Sequence, residues 1–203
     1  QVVPIFTKFG CNSGGCHGKA TGQNGFKLSL LGFEPAADYQ ALVKEARGRR
    51  LFFSDASRSL LLQKATGRVP HGGGKRLVVG SHDYLALLRW IQQGAVPPSD
   101  QDITLTSIAV SPSQLLIQSD TTKQLKVTAT FSDGTTRDVT GQSLFTSNEE
   151  EIAAVSEKGV LQAQQRGGLF TVMVRFGGQI ATLHGVVPLE LEETERLAVT
   201  RHL

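Results

Sequence analysis

The sequence predicts a protein of two domains, a mainly α N-terminal domain followed by an all-β C-terminal sandwich. Apolar residues between positions 84 and 91 recur at helical spacing behind Ser81, a residue type that favours helix N-termini. From Leu105 onward, apolar and polar residues alternate instead, and turn signals recur about every 8–12 residues, as is typical of a sandwich. Residues 96–100, with two consecutive prolines, separate the two patterns. We therefore expect domains at 1–98 and 104–188, a linker at 99–103, and a tail at 189–203 that leads towards a missing downstream region.

Composition and charge argue against several classes of protein. The 203 residues contain no run of about 18 apolar positions, so no membrane-spanning helix is expected. Residues 1–100 hold 13 basic and 6 acidic side chains, a net charge of +7, whereas residues 101–203 hold 8 basic and 12 acidic side chains, a net charge of −4. The basic half has few aromatic residues and no DNA- or RNA-binding signature, so nucleic acid is not an expected partner. An acidic partner protein or a solvated surface accounts for this charge.

The expected elements of the first domain follow from apolar spacing and from helix signals. They are a helix at 2–9, a glycine-rich loop at 10–25, a strand or extended hairpin arm at 26–33, a helix at 38–46 entered through Pro35, a helix at 58–65 capped by Ser57, a loop at 67–80, and a helix at 81–93 ended by Gly94. Tyr84 and Trp90 on the last helix are interpreted as core residues.

The expected strands of the second domain follow from period-two alternation. They surround Ile108 and Val110, Leu115 and Ile117, residues 125–131, Val139, Leu144 and Phe145, residues 152–155, Val160 and Leu161, residues 170–176 and residues 180–187. Residues 132–135 (SDGT) are a hairpin turn signal.

The string CNSGGCHG, from Cys11 to Gly18, carries the chemistry of the first domain. Two thiols followed directly by a histidine are how c-type haem is attached, each thiol to one vinyl group and the histidine to the iron. Four residues separate the cysteines here instead of the usual two. Gly14 and Gly15 are expected to give the longer arc its conformational freedom. The sequence therefore predicts one covalent haem c on Cys11 and Cys16, with His17 as proximal ligand.

Other uses of the two cysteines stay open at this point. They could form a disulfide in an oxidising compartment, or be thiols with no special role. They could also supply half of a zinc site that His17 and a second histidine complete, although no second cysteine pair is present.

The sixth iron ligand is expected from the loop before the last helix, where small cytochromes c often carry a methionine. This half of the chain has no methionine, and the loop holds His71 followed by three glycines. We expect His71 to be the distal ligand, with His82 as the second choice. Met173, on the same strand face as Thr171 and Arg175, is a remote option that requires the two domains to pack together. A vacant sixth position is the remaining alternative.

The surroundings of the haem are expected from the apolar pattern alone. The expected walls of its pocket are Phe6, Phe9, Phe26, Leu28, Leu60, Leu61 and Leu88. Arg68, Lys75 and Arg76 flank the His71 loop, where they could pair with haem propionates or simply face solvent.

Three segments of the first domain resemble a known family. CNSGGCHG, GFKLSLLGFEPAADYQALV and VPHGGGKRLVVGSHDYLALLRWIQQGA are similar to the cytochrome c-type domain of large secreted planctomycete proteins, over about residues 3–98. The resemblance implies a monohaem cytochrome c fold with Cys11 and Cys16 as attachment sites and His17 as proximal ligand. Through the HGGG string it also implies the distal role of His71.

Residues 104–188 resemble a bacterial Ig-like domain of group 2. The matching segments are LTSIAVSPSQLLI, VTATFSDGTTRDVT and FTSNEEEIAAVSEKGVLQA, followed by the final alternating strands. The resemblance implies a β-sandwich that acts as an adhesion or spacer module and has no chemistry of its own.

Together these features describe a periplasmic or exported cytochrome c. It would be a metal-binding haem and iron protein with a CxxxxCH motif and bis-histidine ligation by His17 and His71. The expected function is single-electron transfer with an unidentified redox partner, and no enzymatic activity within this chain. One alternative is haem-based ligand binding, sensing or peroxide chemistry at an open sixth site. Another is a non-haem adhesion or structural fragment.

Overall fold

The computed structural model describes residues 2–99 and 101–189. These residues fall into two compact units, one made mostly of residues 2–105 and one made mostly of residues 106–189. The predicted tail at 189–203 lies outside the described residues except for Leu189, as does Asp100 of the predicted linker. None of the helices in the described ranges is long and apolar enough to cross a membrane.

The first unit is helical. Its α-helices are α1 (Val2–Lys8), α2 (Pro35–Tyr39), α3 (Leu60–Ala65) and α4 (His82–Gln92). A π-helical turn, Gln40–Lys44, continues α2, and 3₁₀ turns occupy Leu30–Gly32, Glu45–Gly48 and Phe53–Arg58.

The last helix of this unit, α4, begins and ends where its sequence predicts. The Ser81 hydroxyl accepts a hydrogen bond from the Tyr84 N–H at 3.2 Å, which satisfies one of the free donors of the first turn. Gly94 follows the helix with a φ of +85°, a conformation that glycine adopts without penalty. Tyr84, Leu87 and Ile91 are buried on one face, so α4 contributes a full stripe to the core.

The core of the helical unit joins α1 and α4. Lys8 on α1 forms a largely buried ion pair with Asp83 on α4, with 2.8 Å between Nζ and Oδ2. Apolar side chains from all parts of the unit pack around this pair of helices: Ile5, Phe6, Leu28, Leu42, Leu51, Leu62, Leu77, Leu87 and Ile91.

Residues 26–33 do not form the predicted strand. Their backbone groups bond to the loop before them: the Leu28 N–H donates to the His17 carbonyl at 2.8 Å, and the Leu31 N–H donates to the Asn12 carbonyl at 3.0 Å. Leu31 also has a φ of +56°, which ends any extended run. The segment therefore fixes the 12–17 loop instead of pairing with another strand.

Two predicted helix boundaries are also wrong. Ser57 lies inside a 3₁₀ turn and its hydroxyl donates to Asp55 at 2.7 Å, so it does not cap α3, which begins at Leu60. The helix expected at 38–46 begins at Pro35, and its π-helical continuation ends at Lys44. Ala46 has a φ of +52°, which is incompatible with a continued helix.

The second unit is built from ten strands. They are β1 (Leu105–Ser111), β2 (Gln114–Leu116), β3 (Thr122–Gln124), β4 (Lys126–Phe131), β5 (Thr136–Asp138), β6 (Leu144–Ser147), β7 (Ala153–Val155), β8 (Val160–Ala163), β9 (Gly168–Phe176) and β10 (Gln179–Val187). Their hydrogen-bonded orders are β1-β4-β5, β2-β10-β9-β6 and β3-β8-β7. Strand β2 runs parallel to β10, and the pairs β3–β8, β4–β5, β6–β9 and β7–β8 are antiparallel.

Alternation decides which residues of the β unit are buried. On β9, Val172, Val174 and Phe176 are buried, whereas Met173 and Arg175 between them are only half-buried. This alternation follows the predicted one, because successive side chains of a strand point to opposite faces.

The predicted SDGT turn joins β4 to β5. The Asp133 carboxylate accepts hydrogen bonds from the N–H and the hydroxyl of Thr135, at 2.9 and 2.7 Å, and Gly134 has a φ of +79°. These bonds hold the pKa of Asp133 below its usual value.

Candidate cofactor site

A cavity of about 420 Å³ lies in the helical unit, within the size range of small-molecule sites. Cys11, Cys16, His17 and His71, the four residues expected to hold a cofactor, all line it. Six of the seven expected apolar walls also line it, namely Phe6, Phe9, Phe26, Leu28, Leu60 and Leu61. Leu88 does not, and Leu87 takes its place as the residue that α4 presents to the cavity.

The cysteine loop is folded by its own backbone. The Cys11 N–H donates to the Phe6 carbonyl at 2.8 Å at the end of α1, and the His17 N–H donates back to the Cys11 carbonyl at 3.0 Å. The second bond closes the arc between the two cysteines and places His17 beside Cys11. The longer spacing is thus accommodated by a compact turn.

The glycine that this loop requires is Gly18. A Cβ on Gly18 would lie 2.0 Å from the backbone oxygen of Asn12, whereas a Cβ on Gly14 or Gly15 would meet nothing within 4 Å. Neither Gly14 nor Gly15 has a positive φ. The predicted role of these two glycines is therefore wrong, and the close approach falls two residues after the second cysteine.

His17 is oriented by Phe26. Its Nδ1–H donates to the Phe26 carbonyl at 3.0 Å, and its ring centroid is 4.5 Å from the Phe26 ring. Burial lowers the pKa of His17, and the hydrogen bond to Phe26 acts in the opposite direction. The neutral ring with a proton on Nδ1 leaves Nε2 as a lone-pair donor, the state that a metal ligand needs.

His71 is oriented by its own loop. Its Nδ1–H donates to the Gly74 carbonyl at 2.9 Å, and the Gly74 N–H donates to the His71 carbonyl at 2.9 Å. A Cβ on Gly73 would lie 3.0 Å from Cε1 of the imidazole, so glycine lets the backbone pass close to the ring. His71 therefore also presents Nε2 as the free nitrogen.

The two imidazoles form a matched pair. Their planes are within 7° of parallel and their centroids are 6.3 Å apart. A bond from an imidazole nitrogen to a metal is about 2 Å long, so two such bonds account for about 4 Å of this separation. With ring bonds of about 1.33 Å, the distance from each ring's centroid to its nitrogen is about 1.1 Å. Two such distances account for nearly all the rest of the separation. The separation is therefore the one expected if both Nε2 atoms face a single metal ion.

The two cysteines are unpaired thiols beside this pair. Burial raises the pKa of Cys11 to about 11, the nearby charge of Arg76 opposes this, and Cys16 adds to it. A zinc site needs thiolates, whereas a thioether needs no charge on sulfur. The setting of Cys11 therefore favours an uncharged sulfur.

Four basic side chains and no acidic one line the cavity: Arg49, Arg50, Lys64 and Arg76. Arg68, Lys75 and Arg76 were the cations predicted near the propionates, and of these only Arg76 lines the cavity. Arg50 is 5% exposed, donates from Nη1 to the Ala41 carbonyl and from Nη2 to the Gly25 carbonyl, both at 2.7 Å, and lies 4.5 Å from the Phe26 ring. An arginine inside a dense basic stretch gives no sequence signal of burial, so pattern reasoning missed it.

The alternative distal ligands do not line the cavity. The His82 side chain is 83% exposed, with Asp83 as its charged neighbour at 3.8 Å. Met173 belongs to β9, where it pairs with Thr146 on β6. Of the two candidates in the helical unit, His71 is the one brought beside His17.

Residues 104–174 match the family described as bacterial Ig-like domain (group 2). The second domain is an Ig-like β-sandwich. The match confirms that part of the resemblance and is consistent with an exported or surface protein. It also points to a non-enzymatic structural protein, in agreement with the prediction.

Among solved structures, similar chains come from the S-layer protein SbsC. A structure of its domains 4 and 5 is 21% identical, covers 43% of this chain and 54% of that chain, and has a TM-score of 0.38. The structure of rSbsC(31-844) is 20% identical, covers 48% of this chain and 15% of that chain, and has a TM-score of 0.39. This chain thus matches about half or less of the length of these proteins. A search of curated proteins finds no match.

The description of the chain as an electron-transferring cytochrome c is contradicted. The family match falls on the Ig-like domain, at residues 104–174. In residues 2–99 and 101–189, no group of three or more His, Cys, Asp or Glu side chains could hold a metal ion. The findings favour the structural or adhesion alternative over electron transfer. The match does not extend to residues 1–103, so the cofactor and the residues expected to hold it stay predictions.

Proposed function

We propose that this chain is an exported, non-enzymatic structural or adhesion protein whose helical unit holds one haem c as a prosthetic group. The Ig-like sandwich serves as the spacer or adhesion module. Residues 1–98 form the cofactor-holding domain and residues 99–103 the linker. The observation that supports the cofactor is the parallel pair of His17 and His71, which line one cavity together with both cysteines.

The donor set fits haem c in number and kind. Cys11 and Cys16 would each form one thioether bond, the attachment that two thiols followed by a histidine provide. His17 and His71 would hold the iron through Nε2, since both have Nδ1 engaged by a backbone carbonyl. A bound haem would supply an iron centre, whose potential depends on these ligands and on its exposure.

The walls fit the same group. Phe6, Phe26, Leu28 and Leu61 offer apolar contact to a flat macrocycle and exclude water from its faces. The four cations that line the cavity match the two negative propionates, and no acidic side chain lines it to oppose them. Arg50 is already fixed by three backbone carbonyls, so we expect its charge to act through space and Arg49, Lys64 or Arg76 to make direct contact.

The attachment reaction takes place outside the cytoplasm in bacteria. A haem c therefore requires export to the periplasm or beyond, which is the location we propose. The Ig-like domain is compatible with the same location.

Visible absorption spectra test the proposal. The full chain is exported through a haem c maturation pathway, and spectra are recorded oxidised and after dithionite reduction, with a denaturing gel stained for haem. We expect sharp reduced bands, a six-coordinate low-spin spectrum, and haem that stays on the polypeptide. His71→Ala should keep the covalent haem and lose the six-coordinate spectrum, whereas His82→Ala should change neither. A colourless wild-type protein made under these conditions would contradict the proposed cofactor and leave the non-haem structural function.

A further inference from the structure

The loop that carries His71 is fastened by two cationic side chains. Lys64 Nζ donates to the carbonyl of Pro70 at 2.9 Å, one residue before the histidine. Arg76 Nε donates to the carbonyl of Gly73 at 2.7 Å, two residues after it. The imidazole thus lies between two carbonyls, each of which accepts a hydrogen bond from a charged side chain.

Backbone hydrogen bonds hold the two ends of this loop to α3, from the Val69 N–H to the Gln63 carbonyl at 3.3 Å and from the Arg76 N–H to the Ala65 carbonyl at 2.8 Å. The residues between these ends include three consecutive glycines and belong to no helix or strand, so their ordering costs much conformational entropy. Gly74 bonds to His71 within the loop, which shapes the turn without attaching it to the rest of the unit. Between its two ends, the loop is therefore bonded by the side chains of Lys64 and Arg76.

Both fastening residues are themselves fixed at one place. Lys64 lies on α3 between the buried Leu62 and Ala65. The backbone N–H groups of Arg76 and Leu77 both donate to the Ala65 carbonyl, at 2.8 and 2.9 Å. The last turn of α3 therefore carries Lys64 and anchors the backbone of Arg76, so both donors are positioned from the same turn.

We propose that Lys64 and Arg76 are positioning residues that fix the His71 loop, and that with haem bound they would keep His71 on the iron and small ligands off it. This inference rests on the proposed haem c. It assigns these two cations a function that their charge alone would not provide. Arg68 belongs to the same stretch, but it is exposed and does not line the cavity.

The test uses the full chain with haem c attached, in its ferrous form, and carbon monoxide as the probe. Carbon monoxide must displace His71 to bind, so its binding rate reports how firmly the loop is held. We expect Lys64→Ala and Arg76→Ala each to raise this rate about tenfold, the factor expected when a charged hydrogen bond is lost. The double variant should approach the rate of His71→Ala.

Two control variants distinguish the loss of these hydrogen bonds from the loss of a positive charge, and thermal unfolding detects a loss of folding. Arg68→Ala removes one positive charge from the same segment and should bind carbon monoxide at the wild-type rate. Lys64→Arg keeps a cationic donor and should restore slow binding. Thermal unfolding followed by circular dichroism establishes that each variant is folded before its rate is compared.

The outcomes distinguish this inference from the proposal beneath it. Wild-type protein without covalent haem would overturn the proposed cofactor, and this inference with it. Covalent haem with His71 as ligand, but unchanged carbon monoxide binding in the double variant, would overturn the positioning role alone. An equal rise in Arg68→Ala would overturn it too, since the effect would then follow charge and not the two hydrogen bonds.

Discussion

The two units of this protein place their buried residues by different rules. In the β unit, strands pair with strands, and the buried residues of the two longest strands, β9 and β10, follow from alternation. In the helical unit, much of the chain between α1 and α4 is irregular, and its backbone bonds run to loops, as from Leu28 to His17. The β unit closes a core of side chains, whereas the helical unit surrounds a cavity. A fold built around a cavity depends on what fills it more than a fold built around a packed core does.

The largest expected effect follows from that dependence. Cys11→Ser together with Cys16→Ser should abolish covalent haem, because each bond needs a thiol sulfur. The helical unit should then unfold at a lower temperature, since a group bound only by the folded state stabilises it. Differential scanning calorimetry of both proteins measures this shift. Equal transitions with and without haem would show that the helical unit does not depend on its cofactor.

A core substitution in the β unit should act on packing alone. Phe170 is 2% exposed, so Phe170→Ala should lower the free energy of unfolding by about 3–5 kcal/mol. Its neighbour Thr171 is only half-buried on the other face, and Thr171→Ala is the matched control, with an expected change below about 1 kcal/mol. Urea unfolding measures both values. The account of the β core fails if the two variants are destabilised alike.

The glycines of the cysteine loop offer a matched pair within the helical unit. Gly18→Ala should cost about 1–3 kcal/mol and reduce haem attachment, because its Cβ would overlap the Asn12 carbonyl. Gly14→Ala should leave both nearly unchanged, because its Cβ would meet open space. Haem-stained gels and thermal melts of the two variants check this. Similar yields of attached haem would contradict the assigned close approach at Gly18.

The smallest expected effect concerns a local feature of α4. Ser81→Ala removes the acceptor for the Tyr84 N–H and should cost about 1 kcal/mol. Ser81→Asp keeps an acceptor and places a negative charge at a helix N-terminus, so it should retain wild-type stability. Urea unfolding of the two variants measures the difference. A loss in Ser81→Asp as large as in Ser81→Ala would exclude the cap as the cause.

The sequence predicts what is periodic or chemically distinctive. Most strands, the hairpin turn at Gly134 and the limits of α4 follow from local patterns, and four residues that line the cavity follow from the CxxxxCH and HGGG strings. Strand β3 was not predicted because all three of its residues are polar, and Val139, predicted in a strand, follows β5 instead. Apolar residues at 26–33 suggest a strand, but their backbone partners lie in the cysteine loop, which no local pattern reveals. Arg50 donates to the Gly25 carbonyl, and Gly18 lies against the backbone oxygen of Asn12. Both contacts exist only once the loop has folded, so no local sequence pattern reveals them. Helical spacing alone does not determine which of the neighbours Leu87 and Leu88 faces the cavity, and the residue that does so is Leu87.

Intact mass spectrometry of the exported full chain tests the central claim most directly. After maturation and denaturation, the wild-type polypeptide is predicted to carry the mass of one haem. The double variant Cys11→Ser/Cys16→Ser, made in parallel, is predicted to carry none. A wild-type mass equal to that of the bare polypeptide, from cells that attach haem c to a control cytochrome, would contradict the account of the helical unit.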